Sequence, residues 1–555
     1  MSNQQSTPGA APARPGEPPA TRRPRPARAA AVLCGLAAAA AAVGAGEAVA
    51  AFVRPSAAPV VAVGSAAIDL APTALKEYAV RTFGTGDKPV LLAGIHLTLA
   101  LLAAATGLAA TRHRPVGAAV FALFGALGAW AALSRPGAGP ADALPAPAAA
   151  LAGALALDRL TALLRRTTAP SPPPPEDPDS PEGPGSPDGP DAAESPGAAP
   201  RPRRRTVLAA GGATIAAATA LGAGGRILSD RRNDITAARA AVRLPPPARP
   251  APPPPPALRI PGLAPTTTPT ADFYRVDTAL TLPRIDPRRW SLRLHGMVDR
   301  PLLIGFDELL ALPLEELDHT LTCVSNEVGG PYAGTTRWLG ASLPALLRRA
   351  GIRAGAQQLV GRSQDGMTIG TPLEAVLDGR RALLAVAMNG EALPVEHGFP
   401  CRTVVPGLYG YTSATKWLVD LEATTFAAFD PYWVQRGWDR TGEVRTASRI
   451  EVPAPFARVP AGEVVLAGTA WATHRGIAAV EVRVDGGPWQ QTRLAADAGP
   501  DVWRQWTHTW AGAAPGTHRI EVRATDAAGA VQPETRRPPY PSGATGWHST
   551  VVTVT

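Results

Sequence analysis

His319-Thr-Leu-Thr-Cys-Val-Ser-Asn-Glu-Val-Gly-Gly330 is the stretch on which the reading of the chain turns. Thr320 to Val324 is β-prone with apolar Leu321 in its middle, and it runs into Ser-Asn-Glu and a glycine pair, the pattern of a strand emptying into a tight loop. Such a strand end carries one thiol, Cys323, to a place where a rigid scaffold fixes a side chain and glycine lets the backbone approach a ligand. Two readings of Cys323 stand side by side: a functional thiolate, or a buried inert cysteine, alone or in a disulfide with Cys401.

A second stretch, Val395 to Leu418, combines His397, Arg402 and Lys416 with turn-forming Pro406-Gly407 and Gly410. Basic side chains on a loop rich in N–H donors suit an anionic cofactor, because phosphate is held by charge-assisted hydrogen bonds. On composition alone they equally suit a solvated surface. In this order and at this separation the two stretches resemble the sulfite oxidase family of molybdenum enzymes. In that family the cysteine of a Cys-x-x-Asn loop is the protein's thiolate ligand to molybdenum, and His-Gly-[Phe/Tyr]-Pro-x-Arg with a later Pro-Gly and Lys-Trp binds the pterin. The resemblance places Cys323 on the metal ligand and catalytic position and Asn326 on the loop asparagine. It places His397, Arg402 and Lys416 on pterin-binding positions. Asp272, Phe273 and Tyr274 resemble the Asn-Phe-Tyr cofactor-contacting segment of bacterial periplasmic members, with Asp in place of Asn. Trp290, Gly296, Trp338 and the run Leu343 to Leu347 fit the scaffold pattern, over about residues 266–555. The implied cofactor is molybdenum-molybdopterin (Moco), which carries two-electron oxygen-atom transfer while the protein binds and orients it.

The expected fold is multi-domain: N-terminal transmembrane helices, an α+β sulfite-oxidase-type molybdopterin domain and a C-terminal immunoglobulin-like β-sandwich. With 555 residues and 62 prolines, linkers must separate compact units. Residues 1–28 are polar, Pro-rich and basic and read as a disordered cytoplasmic tail. Residues 29–166 hold four apolar runs, 29–53, 89–111, 116–133 and 146–164, and a fifth span covers 206–226. Residues 59–75 are interrupted by Asp69 and Pro72 and read as an interfacial piece. Five spans put the arginine clusters, the tail, Arg112 to Arg114, and Arg165-Arg166 with Arg201 to Arg205, on one side, as the positive-inside rule asks. The formal charge of +9 therefore has a topological cause, and no signature of nucleic-acid binding accompanies it. Glu47 is the one charge of the first span, near its far end. His96 and His113 do not supply facing imidazoles at matched depth, as a membrane haem requires. Residues 167–205 form a low-complexity cytoplasmic linker, and Arg203-Arg204 before the fifth span fits both a twin-arginine export signal and a simple charge cluster. Residues 227–265, with a run of five prolines, read as an extended stalk holding the next domain off the membrane.

Residues 266–448 interleave strands and helices: Trp290 to Gly296 alternates like a half-buried strand, and Ser342 caps Leu343 to Ala350 with Gly351 ending that helix. Residues 449–555 turn all-β, with Asp485-Gly-Gly487 a hairpin signal. The Gly-x-Ala-Trp and Val-Asp-Gly-Gly elements resemble the family's dimerisation domain, which implies a homodimer. The expected protein is a multi-pass plasma-membrane enzyme with its catalytic domain outside, a small-molecule substrate and an electron-transfer partner the sequence does not name. Glu327 follows Asn326 where sulfite-oxidising members place arginine, and a desolvated carboxylate there would repel a dianion by roughly several kcal/mol. A sulfoxide-like substrate therefore stands beside sulfite, with Arg275 or Arg337 as candidates to compensate. The competing class is a catalytically inactive membrane-anchored binding protein that uses its β-sandwich for a surface partner.

Overall fold

A computed structural model of the protein describes residues 28–72, 75, 78, 82–83, 86–135, 138–168 and 204–555. The tail before Arg28, the linker between Thr168 and Arg204, and Arg203 of the twin-arginine pair lie outside the described residues.

Among the described residues, six helices make the N-terminal bundle: α1 (Arg28–Val53), α2 (Pro59–Leu70), α3 (Asp87–Ala110), α4 (Arg114–Leu133), α5 (Pro145–Thr168) and α6 (Arg204–Arg232). Five helical stretches among the described residues are long and apolar enough to cross a membrane; α2 is not. At 12 residues α2 is about 18 Å long, well under the ~30 Å of a bilayer core. Alanine and glycine make the α1 side of the bundle core, with Phe121, Leu157, Leu160 and Leu164 completing it; Ala30, Ala31, Ala37 and Ala38 of α1 are buried, and α1 packs against α3, α5 and α6. A Cβ at Gly35 would overlap the Ala103 carbonyl, one at Gly107 the Ala31 carbonyl, and one at Gly44 the Ala218 carbonyl. Close approach at such small residues lets these helices pack backbone to backbone. Glu47 is not solitary, since Arg226 on α6 reaches it at 3.0 Å, and Arg54 pairs with Asp142 across the loops at the same end.

The segment expected as a stalk is instead a strap. After the short α7 (Thr236–Ala240), whose Arg239 holds the Leu393 carbonyl at 2.7 Å, the chain lies along the folded part. Leu314 O accepts from Ala248 N at 2.8 Å, and Arg249 O from Glu316 N at 2.9 Å. Pro252 O accepts from Arg337 at 2.6 Å, and Thr266 O from the Trp503 indole at 2.9 Å. Proline removes N–H donors but leaves carbonyls, and an extended proline run presents those acceptors to any neighbouring donor.

Two mixed or antiparallel sheets share the central core. The first runs β2 (Leu302–Gly305), β1 (Ser291–Gly296), β10 (Leu418–Thr424), β5 (Gln358–Ser363), β6 (Thr368–Pro372), with β1 and β10 parallel. The second runs β3 (Leu314–Thr322), β4 (Ala333–Ser342), β7 (Leu383–Met388), β8 (Glu391–Ala392), with β9 (Arg402–Val404) also on β7. Leu292, Leu294, Leu359 and Leu421 of the first meet Ala341, Leu384 and Val386 of the second. Helices α8 (Phe306–Ala311) and α9 (Leu343–Ala350) fill the same core through Leu309, Leu343 and Leu347. As expected, Ser342 caps α9, and Gly351 ends it at φ 73°. The other face of the second sheet carries Phe273, Leu321, Trp338 and Phe399, so its central strands are buried on both sides.

From Ala447 the chain makes two further sheets. One orders β11 (Ala447–Val452), β13 (Gly462–Trp471), β17 (Arg504–Ala513) and β16 (Arg493–Leu494); the other orders β12 (Arg458–Val459), β19 (His548–Val554), β18 (Gly516–Asp526), β14 (Ile477–Val484) and β15 (Gln490–Gln491). Between them Leu466, Val480, Trp506, Ile520 and Val552 are fully buried. Asp485 and Gly486 take φ of 50° and 71°, the left-handed pair that a type I′ hairpin requires, and β15 returns antiparallel onto β14.

Candidate active site

Two loops meet at the end of the second sheet. β3 delivers Cys323, whose N–H donates to Tyr332 O at 2.9 Å while its carbonyl accepts from Asn326 N at 3.1 Å. Asn326 is a brace: its Oδ1 accepts from Tyr332 N at 2.8 Å and closes the loop. A Cβ at Gly330 would come within 2.8 Å of that Oδ1, so glycine is what lets the brace form. In the second loop Gly398 takes φ 107°, and a side chain there would press on Lys416 Cα at 3.0 Å. That close approach brings His397, Arg402 and Lys416 to one place. Arg402 is buried on β9 with its guanidinium 4.9 Å over the Trp338 ring, and it donates to His397 O at 3.0 Å. Lys416 Nζ donates to Glu396 O at 3.0 Å and to Asp277 at 3.1 Å, and Phe273 stands edge-on to His397 at 5.5 Å.

These groups line a cavity of about 630 Å³ that includes Cys323, Phe273, Tyr274, His397, Arg402 and Lys416. Asp272 does not join them. It is exposed on the 3-10 turn Thr270–Asp272, which turns its carboxylate away while Phe273 packs inward. Asn326 lies behind the loop in a small crevice with Tyr409 and Trp471 rather than in the cavity. All three cysteines are free, so the Cys323–Cys401 disulfide does not exist. Cys401 is fully buried in the shared core, facing away from the cations. Arg337 is held by Asp318 at 2.7 Å outside the cavity, Arg275 donates to Asp277 at 2.8 Å, and Glu327 lines the cavity.

Burial sets the electrostatics. It lowers His397 to about 3, with the Lys416 and Arg402 charges pushing the same way, so the imidazole is neutral at pH 7. Burial also lowers Lys416 to about 8, opposed by Asp277, and Arg402 to about 10. Burial alone would raise Asp277, but the charges of Lys416, Arg275 and Lys88 outweigh it and hold the carboxyl well below the usual range. The Cys323 thiol is pushed up by burial, against the hydrogen bonds of Ser325 and the Lys416 charge. Asp277 and Lys88 were not found from sequence: an isolated Asp four residues after Phe273 and a Lys at a helix start carry no pattern of their own.

The donor set fits a metal that brings its own ligands. Among the described residues no group of three His, Cys, Asp or Glu side chains is arranged to hold an ion, whereas one buried thiol opens onto a cavity walled by Arg402 and Lys416. The oxidoreductase molybdopterin binding domain family matches residues 279–433. A sulfite oxidase of Gallus gallus is 31% identical over 321 residues, covering 48% of this chain and 69% of that protein. The chain belongs to the sulfite oxidase family. It is a molybdopterin-dependent oxidoreductase, and Moco is its cofactor. An uncharacterized oxidoreductase YuiH of Bacillus subtilis is 33% identical over 158 residues, 28% of this chain and 76% of that one. The solved sulfane dehydrogenase SoxCD of Paracoccus pantotrophus is 24% identical with a TM-score of 0.45, covering 52% of this chain and 83% of that one.

Proposed function

We propose that this sulfite oxidase family member is a membrane-anchored, extracytoplasmic enzyme in which Cys323 is the thiolate ligand to molybdenum and His397, Arg402 and Lys416 hold the pterin. The observation that carries this reading is convergence: the one thiol on the cavity wall and three basic side chains from a separate loop face the same 630 Å³. Bound there, Moco supplies two-electron oxygen-atom transfer, in one direction R₂SO + 2H⁺ + 2e⁻ giving R₂S + H₂O and in the other the reverse. Arg402 and Lys416 offer charged donors to phosphate and pterin oxygens. Neutral His397 gives one donor and one acceptor, so it binds the cofactor without adding a third charge to a buried site. The Cys323 thiol, kept protonated by burial, loses its proton only to a cation that replaces it. Phe273 and Trp338 exclude water around these groups. Sulfite and sulfoxides remain the two substrate classes, with an electron-transfer partner outside this chain.

The membrane reading is supported by agreement between helix ends and charge. With the tail inside, α2, the start of α3 and everything after α6 fall on one side, and Lys88 of α3 pairs with Asp277 of the catalytic part at 2.5 Å. The proposed layout keeps 29–166 and 206–226 as membrane segments, 266–448 as the molybdopterin domain and 449–555 as an immunoglobulin-like dimerisation domain. Metal analysis of the purified chain tests the centre: one molybdenum per chain, absent in Cys323→Ser or held without turnover, is expected, and a metal-free chain overturns it. A reporter fused after Arg226 active inside the membrane overturns the topology.

A further inference from the structure

The cavity has a second wall that the site residues do not explain. It is also lined by Ala67, Ile68 and Ala71 at the end of α2, by Leu91 on α3, and by Trp433 and Trp438. The contact is built, not incidental. Asp69 on α2 accepts from the Tyr432 hydroxyl at 2.9 Å, and its carbonyl accepts from Arg436 at 3.0 Å. Gly64 lets Leu280 lie against the helix, since a Cβ there would come within 2.9 Å of Leu280 Cδ1. On the membrane reading, α2 is too short to cross a bilayer and sits between two helices that are long enough, which would put its cavity face near the membrane boundary.

Among the described residues lining the cavity, charge is balanced rather than strongly positive. Lys88, Arg402 and Lys416 supply three positive side chains, and Asp277, Glu327 and Asp365 supply three negative ones. Asp277 already engages both lysines. A pterin phosphate adds further negative charge. What remains is apolar and aromatic surface: Ile68, Leu91, Met367, Ile369, Trp433 and Trp438.

From this geometry, and resting on the membrane reading above, we infer that the substrate is a neutral, lipid-soluble molecule that reaches the cavity along the wall built by α2 and α3, its apolar part lying on Ile68, Leu91 and Trp433. Such a wall selects by buried area, and each methylene that leaves water for it is worth roughly a fourfold gain in affinity.

The test uses the full chain, loaded with cofactor, in lipid nanodiscs. Binding of a series of alkyl methyl sulfoxides is read from tryptophan fluorescence and corrected for each probe's partition into the same lipid. Turnover is followed with two equivalents of a reduced one-electron viologen dye, and molybdenum is measured on every sample. Affinity should climb severalfold per methylene until the cavity is filled, and sulfite should not displace the longer probes. Ile68→Ser should weaken the long probes about tenfold while changing the shortest little and leaving molybdenum content intact. Affinity independent of chain length, competition by sulfite, or an equal loss for short and long probes with Ile68→Ser overturns the inference. Molybdenum content separates the two claims: a loaded chain without a chain-length trend refutes the lipid-soluble substrate alone. A chain that binds the series yet holds no molybdenum refutes the cofactor assignment alone.

Discussion

The helical bundle and the catalytic part are held by opposite uses of the backbone. In the bundle, Gly35, Gly44 and Gly107 let one helix's backbone lie on the carbonyls of another. In the catalytic part, glycine is used to bring side chains together: Gly398 gives up its own so that Arg402 and Lys416 converge, and Gly330 does so for Asn326. One region gains its order from uniform packing and tolerates few polar groups, which pair off as Glu47 with Arg226 and Arg54 with Asp142. The other concentrates buried charge at a single cavity and surrounds it with two-sided sheet. The second region should therefore be sensitive to single-atom changes at its cavity, and the first to added volume at its closest helix contacts.

The sharpest contrast lies within the catalytic part, between its two buried thiols. Cys323→Ser should drop oxygen-atom transfer to background while leaving the unfolding midpoint within about 1 kcal/mol of wild type, because the loop is held by Asn326 and backbone bonds. Cys401→Ser should do the reverse: activity persists, and stability falls by about 1 to 3 kcal/mol as a hydroxyl enters the apolar core beside Val405. Turnover assays and urea unfolding decide between them, and similar losses of activity in both would break the distinction.

Acid should strain the catalytic part before the bundle. His319 is fully buried, and among the described residues neither ring nitrogen makes a hydrogen bond of normal geometry. Burial lowers it to about 4 even with Asp501 nearby. The folded value lies below the unfolded one of about 6.5, so between those two the unfolded chain binds more protons. Stability contributed by this site is thus flat above pH 6.5 and declines as pH falls toward 4, by up to about 3 kcal/mol. His319→Gln should flatten that decline in thermal unfolding scans; an unchanged slope would remove His319 from the account.

Within the bundle, one substitution should change sign with position. Gly107→Ala must push α1 and α3 apart against the Ala31 carbonyl, costing about 2 kcal/mol, whereas Gly94→Ala on the same helix meets nothing within 4 Å and should gain up to about 1 kcal/mol from helix propensity. Unfolding of the purified protein in mild detergent and denaturant reads both.

What the sequence made legible follows the range of the forces involved. Local signals were sufficient for Ser342 and Gly351 at the ends of α9, for the Asp485-Gly486 hairpin and for the five long apolar helices, because caps, turns and spans are written in neighbouring residues. The meeting of Cys323 with His397, Arg402 and Lys416 came from resemblance, since no periodicity links residues so far apart. Asp277, Lys88 and the α2 wall were invisible for the same reason: Asp277 meets Lys416 across 139 residues and Lys88 across 189, and the wall acts through a surface rather than a motif. The proline-rich segment misled because composition reports the lack of donors and says nothing about which donors its carbonyls will find. Asp272 misled because its motif neighbour Phe273 turns inward while it turns out.

The smallest effect belongs to the cap of α9. Ser342 accepts from Ala345 N at a long 3.4 Å, near solvent, so Ser342→Ala should cost only about 0.5 kcal/mol, the low end for a lost N-cap. The helix is eight residues long and would not form alone; Leu343, Leu346 and Leu347 pin it into the core shared by both sheets. Leu347→Ala should accordingly cost about 2 to 5 kcal/mol, several times the cap. The ratio of the two, measured by chemical denaturation on one protein, tests whether short helices here are set by their ends or by their buried face. A Ser342→Ala loss as large as that of Leu347→Ala would mean that local chemistry, which governs little in the bundle, governs the catalytic part as well.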